Sequence, residues 1–78
     1  MEVIAVRFSG AALAEHRRAA GLTREQLAMM VGRSYNTVVS WEVGRQFPNV
    51  TMLPELADAL SCSVPDLFRG DHRPERIG

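Results

Sequence analysis

One stretch, from Thr23 to Gly44, limits what this chain can fold into, because within it a helix must stop and a second must start almost at once. Thr23 is a good N-cap, and Gln26 three positions later completes a capping box. Leu27, Met30 and Val31 recur at helical spacing. Gly32 follows, a residue that can take the left-handed conformation needed to end a helix. Ser34 offers a second N-cap. Thr37, Val38, Trp41 and Glu42 mark one stripe of the next helix, which Gly44 closes. Two short helices with so tight a break must cross steeply.

The flanks read as more helix. Ser9 caps a first helix over about 10–20, with Leu13, Arg17 and Ala20 on one stripe and Gly21 as its stop. Pro48 breaks the chain after the central pair, and Phe47 is expected to anchor that loop to the core. Thr51 is read as the cap of a fourth helix over about 52–60, with Pro54 tolerated in its first turn. Ser63-Val64-Pro65-Asp66-Leu67-Phe68 starts a one-turn fifth helix. Residues 1–8 (Val3, Ile4, Val6 and Phe8 among them) favour an arm or short strand. A lone strand has no partner in an otherwise helical chain. Two readings stay open: the arm packs on its own domain, or it pairs with the same strand of a second copy. Residues 70–78 read as a polar, flexible tail, leaving 9–69 as the domain.

Composition narrows the function classes. Seventy-eight residues allow one domain with a thin margin of stability. No apolar run approaches a membrane span and residues 1–8 do not read as a signal peptide, so a cytoplasmic protein without membrane association is expected. The single cysteine, Cys62, excludes an internal disulfide framework and is expected to be a small buried hydrophobe. His16 lies beside the apolar face of the first helix, with no second histidine at metal spacing. No carboxylate pair, nucleophile–base pair, metal cluster or phosphate loop stands out, so neither catalysis nor a cofactor is expected. Net charge is zero, which counts against nucleic-acid binding. Its distribution softens that: residues 23–49 carry Arg24, Arg33 and Arg45 against Glu25 and Glu42, whereas residues 50–70 carry Arg69 against Glu55, Asp58 and Asp66.

The ordered set Leu22-Thr23, Glu25-Gln26-Leu27-Ala28, Val31-Gly32, Ser34, Thr37-Val38, Trp41-Glu42, Gly44-Arg45, Pro48, Leu53, Leu56-Ala57, Ala59-Leu60, Ser63-Val64 and Leu67-Phe68 resembles the XRE-type helix-turn-helix family, which includes the lambdoid phage repressors and Cro proteins. The resemblance covers about residues 9–68. It implies an all-α fold, a compact five-helix lambda-repressor-like DNA-binding domain behind the N-terminal arm. It also implies that helix three, about residues 34–43, enters the major groove, whose width of about 12 Å admits one α-helix.

Roles for single residues follow from the same resemblance. Arg17 and Glu42 match a structural ion pair between helices one and three. Tyr35, Asn36 and Ser40 match base-reading positions. Val39 is either a thymine-methyl contact or an ordinary exposed valine. Thr23, Arg24, Arg33, Ser34, Thr37 and Arg45 are the expected phosphate contacts. The family often carries glutamine where this chain has Arg24, which puts in doubt a bridge from that position to a base-reading side chain. The implied function is a sequence-specific transcriptional regulator, a small repressor acting on double-stranded DNA as a homodimer. A protein-interaction module is the competing reading, an antitoxin or adaptor with the same fold and a protein partner; Val39, Val43 and the neutral charge favour it.

Overall fold

The computed structural model describes residues 2–74, with side chains over 6–70. Residues 1 and 75–78, the ends of the expected arm and tail, lie outside the described residues. The order is β1 (Glu2–Phe8), α1 (Gly10–Ala19), α2 (Arg24–Val31), α3 (Tyr35–Val43), α4 (Met52–Leu60), a 3-10 turn (Val64–Leu67) and β2 (Phe68–Pro74).

The helices begin largely where side-chain oxygens can take up orphan backbone N–H groups. Ser9 accepts from the Ala12 amide and Ser34 from the Thr37 amide. At Thr23 both halves of the capping box form: its hydroxyl accepts from Gln26 N at 3.0 Å, and its own amide donates to Gln26 Oε1 at 2.8 Å. At α4 the expected cap is displaced. Thr51 has helical backbone angles and makes no capping bond. Asn49 Oδ1 instead accepts from both the Met52 amide and the Thr51 hydroxyl, because Asn49 is the residue placed just outside the turn.

Leu13, Leu27, Val31, Val38, Trp41, Met52, Leu56, Leu60 and Leu67 form one core, with Phe8, Leu22, Ala59, Cys62 and Phe68 packed on its margin. Burial and the nearby Asp66 carboxylate push the Cys62 thiol pKa up, as suits a packing role. Phe47 does not enter this core. It is 62% exposed and leans edge-on against Phe8, with ring centroids 6.3 Å apart.

The expectation of five helices in an all-α fold needs two corrections. The fifth element is a single 3-10 turn, with Pro65 near its start and Phe68 already extended after it. The second correction is a sheet. β1 pairs antiparallel with β2, in a register running from Phe8 opposite Phe68 to Glu2 opposite Pro74. The arm therefore has a partner in its own chain, supplied by residues 68–74, most of which read as tail. Ser9 N donates to Leu67 O at 2.8 Å where the ribbon leaves the helices.

Candidate nucleic-acid interface

The turn between α2 and α3 is set by local chemistry. Gly32 adopts φ 66°, a left-handed angle that glycine takes without steric cost, and Arg33 N then bonds back to Ala28 O. Ser34 restarts the helix, and its hydroxyl also lies 2.9 Å from that of Thr37. Two expected phosphate contacts thus stand side by side on the first turn of α3.

On α3, Val38 and Trp41 are buried and pin one face to the core. The other face carries Tyr35 and Asn36 exposed, Thr37, Val39 and Ser40 half-buried, and Val43 exposed. Of the predicted base-reading set, the structure therefore puts Tyr35 and Asn36 fully at the surface and keeps Val39 and Ser40 partly sheltered. Arg33 and Arg45 are exposed at the two ends of α3, and Thr23 is exposed at the start of α2.

Glu42 holds this face in place. Its side chain is 2% exposed and accepts from three donors: Arg17 Nε at 2.6 Å, Arg17 Nη2 at 3.2 Å and Arg24 Nε at 2.9 Å. Arg17 spends a further N–H on Leu22 O at 2.9 Å, so its buried fork is tied to α3 and to the α1–α2 loop together. Burial alone would raise the Glu42 pKa. The two guanidinium groups outweigh it and leave the carboxyl below its ordinary value. The expected Arg17–Glu42 pair is present, and Arg24 joins it.

Arg24 is the residue whose placement the sequence did not give. The Glu42 carboxylate first, and the Tyr35 side chain second, hold its guanidinium above the ordinary arginine pKa. Its hydrogen bond ties the start of α2 to the buried carboxylate of α3. The departure from glutamine changes the donor at this position without removing a link to α3. The opposite charges of Arg24 and Glu42 are the only sequence signal for it, and they lie 18 residues apart.

Close packing fixes the angle of α3 from the other side. Gly10, the first residue of α1, lies against the main chain of α3, where any Cβ would overlap the carbonyl oxygens of Trp41 and Glu42. A family profile described as a helix-turn-helix domain matches residues 10–69, which spans α1 to the start of β2. This chain belongs to the helix-turn-helix family. It is 38% identical over 55 residues to an uncharacterized HTH-type transcriptional regulator of Methanothermobacter thermautotrophicus, covering 69% of this chain and 80% of that one. The crystal structure of the clp gene regulator ClgR from Corynebacterium glutamicum superposes with a TM-score of 0.71 at 33% identity, covering 74% of this chain. The matched part is 62% of the ClgR chain, less than two thirds of it. These likenesses support the XRE-like membership read from the sequence. Within this helix-turn-helix domain no described helix is long and apolar enough to cross a membrane.

Proposed function

We propose that this helix-turn-helix domain is a sequence-specific DNA-binding transcriptional regulator, a small repressor that inserts α3 in the major groove and acts as a homodimer. The observation that carries this is the division of α3: Val38 and Trp41 are sunk in the core while Tyr35 and Asn36 stand exposed on the first turn. Recognition helices read base edges from their N-terminal residues, and the exposed pair lies there. An Asn36 amide can bond an adenine bidentately, while Tyr35, Val39 and Ser40 supply the flanking contacts. Thr23, Arg33, Ser34 and Thr37 near this turn, and Arg45 at the far end of α3, would bind phosphates. Arg24 would share its guanidinium between Glu42 and a phosphate. The regulator names of the relatives agree with this reading.

Selection from a random duplex library at two salt concentrations, with wild type and Asn36→Ala, tests it. Wild type should enrich a two-fold symmetric motif. Asn36→Ala should relax one position of each half-site by roughly 1–3 kcal/mol, about 5- to 160-fold. Uniform weakening on all sequences would remove Asn36 from base reading. No enrichment at either salt would favour the protein-interaction reading, for which Met29, Met30, Val43, Phe47 and Val50 are exposed apolar groups.

A further inference from the structure

The β1–β2 ribbon is larger than the fold requires. A compact chain of this length has a radius of gyration of about 11–12 Å. This one has 13.8 Å, and extents of 45 × 22 × 22 Å. Seven strand residues span about 24 Å, which accounts for the excess if the ribbon stands out from the helices. Its inner end is held by Ser9 N–Leu67 O, by the edge-on rings of Phe8, Phe47 and Phe68, and by the ion pair of Arg69 with Glu15. A two-stranded ribbon in water is marginal; three strands or a packed face make it stable.

Its two edges differ. β2 reads Phe68-Arg-Gly-Asp-His-Arg-Pro74, and charges, glycine and proline are what blunt an edge against further pairing. β1 runs Val3-Ile4-Ala5-Val6 without charge, glycine or proline between Glu2 and Arg7. In an antiparallel pair, alternate N–H and C=O groups of each strand face away from the partner. The outer edge of β1 therefore presents outward N–H and C=O groups with no strand beside them among the described residues.

We propose that this edge pairs antiparallel with β1 of a second copy, giving a four-stranded sheet of order β2-β1-β1-β2. This names the interface of the dimer proposed above and rests on that reading. A strand is complementary to itself in this way, as a two-fold dimer requires. Opposed residues must share a sheet face, so a residue at the axis faces itself. Centring on Ala5 is the register that uses all seven residues of β1: Ile4 opposes Val6, Val3 opposes Arg7, and Glu2 opposes Phe8. No two like charges oppose each other. Such an edge with its flanks would bury on the order of 1,000 Å² in total, at the low end for specific contacts, so the dimer is a weak, reversible one.

The test uses the full chain without DNA, so that its failure leaves the DNA-binding reading untouched. Sedimentation equilibrium over a hundredfold concentration range should give a monomer–dimer equilibrium. Over the same range, amide exchange by NMR should slow at those β1 amides that do not face β2. Val6 is 69% exposed, so Val6→Lys leaves the chain folded by circular dichroism, yet sets a charge on the pairing edge. It should raise the dimer dissociation constant at least tenfold. A wild type that stays monomeric with the outward β1 amides exchanging freely would overturn the proposal. So would a folded Val6→Lys that dimerises like wild type, which would place the interface elsewhere.

Discussion

Removing Glu42 tests the energetics of the domain most directly. Its carboxylate is almost fully buried and is the counter-charge to a buried Arg17. Glu42→Ala leaves that guanidinium with Leu22 O as its only remaining bond among those described. Stranding one charge of a buried pair costs about 3–5 kcal/mol. A domain of this size has a total stability of roughly 4–12 kcal/mol. The loss is therefore a large share of the whole, and should lower Tm by roughly 15–30 °C. Arg24 suffers little from the same loss, because its side chain is partly exposed and can turn to water. Arg17→Met should cost a similar amount. The double variant Arg17→Met, Glu42→Leu should recover most of the loss, because neither charge is then left unpaired. Urea denaturation followed by circular dichroism measures all four proteins. The pH dependence has a definite sign. The folded carboxyl titrates below its ordinary 4.5, so its contribution is complete above that pH and is lost as pH falls through the folded value. Glu42→Ala should lack that part of the acid slope. An Arg17→Met cost under about 1 kcal/mol, or a double variant no more stable than the worse single one, would refute a stranded buried charge.

Two further outcomes concern the backbone. Gly10→Ala should destabilise by about 1–3 kcal/mol in thermal melts and weaken DNA binding with it, since the added methyl can fit only if α1 and α3 move apart. Ser61, the C-cap of α4, holds φ 54°, and Ser61→Gly should raise stability by roughly 0.5–1 kcal/mol in denaturant titration.

The central pair of helices was legible because its signals are local. Capping oxygens and a left-handed glycine act within one turn, and the Thr23 box, Gly32 and Ser34 behave as their chemistry dictates, whereas of the α2 stripe Leu27 and Val31 are buried and Met30 is exposed. Arg17 and Glu42 were legible only through the family resemblance, since nothing local joins residues 25 apart. The sheet was hidden for two reasons. The sequence of β2 has poor strand propensity, with Gly70 and Pro74 among charges, and its partner lies at the other end of the sequence. An aromatic beside a proline has the pattern of a loop anchor, but Phe47 stays exposed and it is Phe8, a residue of the ribbon itself, that packs on the core. Arg24 could be assigned as a cation near the interface, but its share in Glu42 depends on the crossing of α2 and α3.

The bond from Ser9 to Leu67 gives the ribbon an unusual route of formation. Strands some 60 residues apart would ordinarily pay a long loop-closure cost before their first pair forms. Once the helices have packed, that bond already holds the two strand roots in register. β1 and β2 can then zip outward from Phe8 and Phe68 like a hairpin whose turn is the whole helical domain. The ribbon should assemble after the body and open before it, so that its pairing reports, from outside, whether the body beneath is intact.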